Sequence, residues 1–116
     1  MSNEHHHNNI VTESLQKTRA IRDLDGAVIP TRLDLGETYT TRGIVERLKH
    51  EQIHQLFVRH ATSDWGECYE EDAQENEEAL VLGNRVMSMY SFEGERIYVI
   101  TEADRSSTCI LFGFEY

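Results

Sequence analysis

Basic residues are scarce in this sequence of 116 residues, in which 11 lysines and arginines stand against 21 aspartates and glutamates. The net charge of −10 leaves no basic excess to displace counterions from nucleic-acid phosphates or to bind an anionic membrane surface. The composition therefore argues against a direct nucleic-acid partner and against a membrane partner. It permits a basic protein partner, or a surface that mimics the charge of nucleic acid.

Cysteines and long apolar runs are also scarce. Cys68 and Cys109 are too few for a disulfide framework, which predicts reduced thiols in a cytoplasmic protein. No apolar run approaches the length of a membrane-spanning helix, and the N-terminus lacks the pattern of a signal peptide. The sequence contains no glycine-rich phosphate loop, no C-x-x-C pair and no G-x-S-x-G motif. We accordingly expect no cofactor.

The remaining pattern is typical of one α+β domain. Residues 1–31 are predicted to be a flexible or partner-covering N-terminal extension, and residues 32–116 are predicted to be the single domain. The strands are expected at Arg85–Phe92, Arg96–Thr101 and Thr108–Phe114, which form an antiparallel meander, and near Glu37–Thr41. The expected fold is a three- to four-stranded antiparallel sheet with two or three short helices on one face.

Apolar residues at helical spacing predict where these helices lie. One helix is expected near Glu51–His60, with an apolar stripe formed by Ile53, Leu56, Phe57 and His60. An earlier stripe that begins at Ile44 is out of phase, so a break is expected near Lys49–Glu51. A further, acidic helix is expected over Glu71–Leu82, with Gly83 as its C-cap and with an inner side of Tyr69, Ala73, Asn76 and Leu80.

The strands of the meander are apolar at consecutive positions instead of alternating. A sheet with one wet face alternates, so this pattern predicts a sheet that is covered on both faces. The short helices cover one of them. Either the segment Ile10–Leu35 or a second copy of the chain, in a homodimer, is expected to cover the other.

One pattern suggests metal chemistry. The residues His50-Glu51-Gln52-Ile53-His54 match the H-E-x-x-H helix of zinc peptidases, and His60 stands where some of these enzymes have a third ligand. Phe57 replaces the glycine that would turn the chain toward the metal, and the predicted helix break falls within the motif. We therefore expect no metal site, and a zinc peptidase is the weaker of two enzyme hypotheses.

The other enzyme hypothesis concerns His60, which has two interpretations. It is a core histidine with a hydrogen bond to a carbonyl or a carboxylate, or it is the general base of a small hydrolase, oriented by Asp64 or Glu102. We favour the core histidine, because His60 belongs to the apolar stripe of its helix.

Polar residues collect at two predicted corners of the chain. Arg59, His60, Asp64 and Trp65 end a helix, and Glu102, Asp104 and Arg105 connect the last two strands. These seven residues are a candidate binding site, in which Trp65 would be an aromatic anchor. The alternative is a structural role, in which turn residues tie a helix end to a hairpin through charge-assisted hydrogen bonds.

The acidic helix is a second candidate surface. Between positions 67 and 79 the chain has no basic residue and seven carboxylates, which are Glu67, Glu70, Glu71, Asp72, Glu75, Glu77 and Glu78. This acidic face is either the solvated side of a helix or a carboxylate-rich surface for a basic groove.

Four segments resemble, in the same order, those of a family of small bacterial proteins: L-G-E-T-Y-T-T-R-G (Leu35–Gly43), R-H-A-T-S-D-W-G (Arg59–Gly66), G-N-R-V-M-S-M-Y (Gly83–Tyr90) and I-T-E-A-D-R-S-S-T (Ile100–Thr108). The family occurs on plasmids and integrated elements and is named "plasmid-related protein" or type I restriction subunit M. A DNA methyltransferase needs a longer cofactor-binding domain than this chain contains, so the subunit label has no support. The resemblance implies a mobile genetic element, often with anti-defence genes beside it.

These features predict a small, acidic, non-enzymatic binding protein of a mobile element. Its expected partner is a protein, and an inhibitory role against a nucleic-acid-handling host defence complex, of the restriction or CRISPR type, fits the acidic charge. The alternatives are the hydrolase that uses His60 with Asp64 or Glu102, and the H-E-x-x-H peptidase.

Overall fold

The structure is a computed structural model, and it describes residues 10–12, 21–23 and 25–116. Its strands are β1 (Ile10–Thr12), β2 (Ile21–Arg22), β3 (Val28–Ile29), β4 (Glu37–Thr41), β5 (Val86–Phe92), β6 (Glu95–Thr101) and β7 (Ser107–Phe112). Its helices are α1 (Arg42–Arg47), α2 (His50–Ala61), α3 (Glu70–Leu82) and a terminal 3-10 turn (Gly113–Glu115). The α+β class is confirmed. Within these residues no helix is long and apolar enough to cross a membrane.

The main sheet has five strands in the order β1-β4-β7-β6-β5. Strands β5, β6 and β7 form the predicted antiparallel meander. The predicted strand at Glu37–Thr41 is also present, but it pairs in parallel with β7, so the sheet is mixed and not wholly antiparallel. Hairpin turns fix the direction only of consecutive strands, and three helices and two strands separate β4 from β7. Strand β1 adds to the other side of β4 in the antiparallel direction.

Helices α1 and α2 are separate, as the phase of their apolar stripes predicts, but the break lies at Leu48 and Lys49. The expectation that it falls within the H-E-x-x-H motif is wrong, because the whole motif lies in α2. Helix α1 ends at Arg47, and Leu48 follows with extended backbone angles (φ −104°, ψ 146°). Lys49 is the N-cap of α2, and its backbone N–H donates to the Gln52 side chain at 2.7 Å. The side chain of Gln52 thus satisfies one of the unpaired donors at the start of the helix.

The core lies between the helices and the inner face of the sheet. The predicted apolar stripe of α2 is buried, His60 included. Because strand residues alternate between faces, the inner face consists of Val86, Ser88 and Tyr90 of β5, Ile97, Val99 and Thr101 of β6, and Thr108, Ile110 and Phe112 of β7. Each of these nine residues is at most 2% exposed.

The N-terminal segment was one of two expected covers for the outer face. In its described part, Leu33 and Leu35 belong to the core cluster, and Ile21 packs against that cluster. The backbone N–H of Arg32 also donates to the carbonyl of Ala61, the last residue of α2. Ile21, Leu33 and Leu35 therefore pack with the helices on the inner side and not, as expected, over the outer face. Residues 13–20 and 24 lie outside the described part of the chain.

The outer face of the sheet is covered in part by the C-terminal residues. Tyr116 lies against Tyr98 of β6, with ring centroids 5.6 Å apart, and its hydroxyl accepts a hydrogen bond from Arg85 Nη2 at 2.9 Å. Met87 and Met89 of β5 remain only half-buried. The part of the outer face beside β5 is therefore accessible.

Candidate functional site

The corner after α2 connects that helix to β5, the edge strand of the sheet. Arg59 Nε donates to Asp64 Oδ2 at 2.6 Å, and the Arg59 guanidinium carbon lies 4.5 Å from the centre of the Tyr90 ring. The Tyr90 hydroxyl donates to the carbonyl of Asp64 at 2.6 Å. The hydrogen bond from Arg59 lowers the pKa of Asp64, and burial raises the pKa of Tyr90. The Arg59–Asp64 pair is a charge-assisted hydrogen bond, and all three contacts lie within the fold.

Trp65, the predicted aromatic anchor, is buried and only 7% exposed. Its indole N–H donates to Glu77 Oε2 at 2.9 Å, and Arg32 donates to both oxygens of the same carboxylate at 2.9 and 3.3 Å. Arg32 and then Trp65 are the main causes that lower the pKa of Glu77. Glu77 therefore joins α3 to the Trp65 corner and to the N-terminal segment.

The corner between β6 and β7 is built around Arg105, whose φ is +61°. Its guanidinium donates to the carbonyls of Ala79 at 2.8 Å and Asn84 at 2.6 Å, at the C-terminal end of α3. The Ala79 carbonyl also accepts the backbone N–H groups of Gly83 and Asn84, and a cation at this end complements the helix dipole. Asp104 accepts the backbone N–H of Ser106 at 3.0 Å, and hydrogen bonds from Ser106 lower the pKa of Asp104.

Glu102 and Asp104 are exposed members of this second corner, and the carboxylate of Glu102 lies 4.0 Å from Arg85. The two corners both contact α3, the first through Trp65 and the second through Arg105. Across the described residues, no side-chain hydrogen bond or ion pair links Arg59, Asp64 or Trp65 with the residues of the second corner. The structure thus separates the two predicted corners, and each of them contacts α3 through one residue.

His60 is completely buried, and both of its ring nitrogens face hydroxyl groups. Nδ1 lies 2.5 Å from Ser88 Oγ, and Nε2 lies 2.9 Å from Thr101 Oγ1. Thr101 Oγ1 is 2.6 Å from Thr108 Oγ1, which donates to the carbonyl of Leu35 at 2.7 Å. A buried chain of hydrogen bonds therefore runs from β5 through His60 of α2, and then through β6 and β7, to the segment before β4.

The direction of this chain follows from its last member. The Leu35 carbonyl can only accept, so Thr108 donates to it, Thr101 donates to Thr108, and the Nε2–H of His60 donates to Thr101. Burial lowers the pKa of His60 to about 3, so the imidazole is neutral and carries its proton on Nε2. Nδ1 then accepts from the serine hydroxyl.

The partners of the His60 ring are hydroxyls, and neither Asp64 nor Glu102 is hydrogen-bonded to it. The hydrolase hypothesis requires a carboxylate that orients the imidazole, and the His60 ring has none as a hydrogen-bond partner. With no exposed surface, the ring does not reach solvent or a substrate. The geometry is that of a core histidine.

His50 and His54 lie one turn apart on α2, as their spacing requires. The Nε2 of His54 is hydrogen-bonded to the Arg22 carbonyl and is already engaged. Residues 10–12, 21–23 and 25–116 contain no group of three or more His, Cys, Asp or Glu side chains that could hold a metal ion.

The two cysteines are free thiols with weak acidity. Burial raises the pKa of Cys109 to about 11, and burial together with the charge of Asp72 raises the pKa of Cys68. Because the thiolate is the nucleophilic form, neither residue has the environment of a reactive cysteine.

Helix α3 and Glu67, which precedes it, present the acidic face that the sequence predicts, and all seven carboxylates are exposed. Glu77 is engaged as described above, and Glu67 accepts the Ser91 hydroxyl at 2.9 Å. The other five are Glu70, Glu71, Asp72, Glu75 and Glu78, for which the described part of the chain provides no ion pair. At its C-terminal end the same helix exposes Val81 (84%) and Leu82 (67%).

The inner side of α3 closes the edge of the sheet. Asn76 Nδ2 donates to the carbonyl of Met87 at 2.8 Å, and Asn76 Oδ1 accepts the Met87 N–H at 3.1 Å. The next outward-facing residue, Met89, pairs with the backbone of Trp65 and Glu67. The free edge of β5 is thereby protected from pairing with another chain.

Between α3 and the outer face of the sheet lies a cleft of about 420 Å³. Its floor is formed by the half-buried Met87, Met89 and Tyr98. The sheet side is lined by Arg85 and Arg96. The helix side is lined by Cys68, Tyr69, Asp72, Glu75 and Asn76. Tyr69, predicted on the inner side of the helix, is 75% exposed because it precedes the first turn of α3.

Sequence reasoning missed this cleft. The apolar character of both strand faces predicted that the sheet needs a second cover, and Met87 and Met89 belong to that pattern. The position of α3 across the β5 edge decides which part of the outer face stays accessible, and no local motif encodes that position.

No protein-family model, curated protein sequence or solved structure matches this chain. The function therefore has to be inferred from the geometry of the molecule itself.

Proposed function

We propose that this chain is a non-enzymatic binding protein that engages a basic protein partner through the outward face of α3. We define the outward face as Glu70, Glu71, Glu78, Val81 and Leu82. The observation that carries the proposal is that α3 has six carboxylates and no basic residue, and that only Glu77 among them is neutralised within the described residues. A helix of thirteen residues spreads this charge over about 20 Å, which a basic groove would complement.

The apolar end of the same face supports a docking role. Val81 and Leu82 are large aliphatic residues with 84% and 67% of their surface exposed. Interfaces combine apolar contacts that exclude water with charged residues that orient the partner. The outward face has both components on one rigid helix.

The candidate catalytic residues do not favour an enzyme. His60 has no exposed surface and no carboxylate beside its ring, and the raised pKa values of Cys68 and Cys109 keep both thiols protonated. Nucleophilic catalysis needs an accessible and activated group. Binding is therefore the better explanation of the exposed charge.

The resemblance to proteins of plasmids and integrated elements suggests the setting. In such an element, a protein that presents a row of carboxylates would occupy the nucleic-acid groove of a host defence complex. The partner would then be a protein that handles nucleic acid, and the binding would weaken with added salt.

Affinity capture from a host lysate tests the proposal. The bait variants are the outward-face variant, with Glu70→Gln, Glu71→Gln and Glu78→Gln, and a control variant, with Asp25→Asn, Glu46→Gln and Glu51→Gln. Both lose three exposed carboxylates. We expect the control to retain a basic partner of the wild type, and the outward-face variant to lose it at low salt.

Two outcomes would contradict this proposal. If both variants lose the partner equally, net charge and not the outward face controls the binding. If the outward-face variant retains the partner and Asp104→Ala loses it, the binding surface lies at the corner between β6 and β7.

A further inference from the structure

We propose that the cleft beside α3 receives a lysine or arginine side chain of the partner. The aliphatic part of that side chain would lie on Met87 and Met89, and its charged group would lie between Asp72 and Glu75. This inference rests on the proposed function, since the basic partner supplies the side chain.

The floor of the cleft fits an aliphatic chain. Met87 and Met89 have adjacent outward positions on β5, and Tyr98 is paired with Met89 across the sheet. Methionine side chains are unbranched and polarisable, so they adapt to the shape of an occupant. Lysine and arginine bury their methylene groups against apolar surfaces of this kind while the charged end stays polar.

The charges of the two walls are segregated. Asp72 and Glu75, on the helix side, have no cationic partner within the described residues. Arg85, on the sheet side, is held by the Tyr116 hydroxyl at 2.9 Å and lies 4.0 Å from the carboxylate of Glu102. A cation in the cleft would therefore meet two carboxylates whose charge is not compensated.

Arg96 gives the occupant an orientation. Its guanidinium lines the sheet side, and the described residues offer it no ion pair. Repulsion from Arg96 would keep a cationic group on the helix side, next to Asp72 and Glu75. The exposed Tyr69 ring at the same wall would add a cation–π contact.

Two methionines of the cleft allow a direct test on the intact protein. With ¹³C-methyl methionine, Met87 and Met89 report on the cleft. The probes are acetyl-Gly-Arg-Gly-amide, its neutral citrulline analogue and acetyl-Gly-Glu-Gly-amide, each titrated to about 10 mM, a concentration that reveals weak binding. We expect the arginine peptide to shift the Met87 and Met89 signals, and the citrulline and glutamate peptides to leave them unchanged.

Substitutions on the two walls have opposite expected effects. Asp72→Asn with Glu75→Gln should weaken binding of the arginine peptide at least about tenfold, because both uncompensated carboxylates are removed. Arg96→Gln should strengthen it about two- to fivefold, since a repulsive charge is lost. Glu46→Gln with Glu51→Gln, which removes two exposed carboxylates outside the cleft and outside α3, should leave the affinity unchanged.

The cleft proposal is overturned if no peptide shifts Met87 or Met89, if the citrulline peptide acts like the arginine peptide, or if Arg96→Gln weakens the binding. A response to the glutamate peptide alone would assign an anion to the cleft. Because the titration needs no partner, its failure is separate from a failure of affinity capture.

Discussion

The stability of this protein is expected to depend on pH between about pH 7.5 and about pH 5 through the buried imidazole of His60. Its pKa is about 3 in the fold, against an ordinary value of 6.5 in the unfolded chain. Below pH 6.5 the unfolded chain therefore binds a proton that the folded protein excludes. The free energy of unfolding falls as the pH falls, and it is restored above the unfolded pKa.

The size of the effect follows from the same two values. Each pH unit between them contributes about 1.4 kcal/mol, so the loss at pH 5 is about 2 kcal/mol. Asp64, Glu77 and Asp104 have lowered pKa values, and their contribution is lost only as the pH falls below the ordinary values of 3.8 to 4.5. The window above pH 5 therefore isolates the histidine.

Denaturation by urea at several pH values measures this dependence. In His60→Gln the amide can accept from Ser88 and donate to Thr101, but it does not titrate. We therefore expect the free energy of unfolding to fall by about 1–2 kcal/mol at pH 7.5. Between pH 7.5 and pH 5 the free energy of unfolding of this variant should not change. The exposed His50→Gln is the matched control and should keep the wild-type slope. A flat wild-type profile, or an equal slope in His60→Gln, would refute the assignment of a neutral buried imidazole.

Two backbone features give further predictions. Gly66 and Gly83 both have φ +78°, but an added Cβ would lie 2.1 Å from the Met89 carbonyl oxygen at Gly66 and would meet nothing within 4 Å at Gly83. Thermal unfolding should show a loss of about 1 kcal/mol for Gly83→Ala and of more than about 3 kcal/mol for Gly66→Ala; equal losses would contradict the close approach. Asn76→Leu should speed hydrogen exchange of the Met87 amide at least about tenfold, because that N–H loses its acceptor, and an unchanged rate would show that another group protects it.

Features that depend on neighbouring residues could be predicted from the sequence. The stripe from Ile53 to His60 and the C-cap at Gly83 both appear where expected. Their signals are the helical period and the positive φ that glycine accepts, which act within a few residues.

Features that depend on distant pairing could not be predicted. The parallel direction of β4 against β7 joins residues about seventy positions apart, such as Thr38 and Thr108. The same applies to the ring of His60, whose nitrogen partners are 28 and 41 residues away. Sequence proximity suggested Asp64 as its partner, and the three-dimensional fold selected Ser88 and Thr101 instead.

The candidate site was predicted in part. The acidic face of α3 is exposed as expected, since no cation lies near enough in sequence to neutralise it. Trp65 and Arg105 were expected as surface groups, but each has a polar partner on α3 that holds it within the fold. Burial of an indole or of a guanidinium depends on such a partner, and the sequence does not identify it.

The most direct test of the central claim is the rate of association between this protein and its purified partner. At low salt the wild type should associate at least about tenfold faster than the outward-face variant with Glu70→Gln, Glu71→Gln and Glu78→Gln, because the carboxylates steer a basic partner. The difference should vanish at high salt, where these charges are screened. Equal association rates at low salt would contradict the proposal that the outward face of α3 is the docking surface.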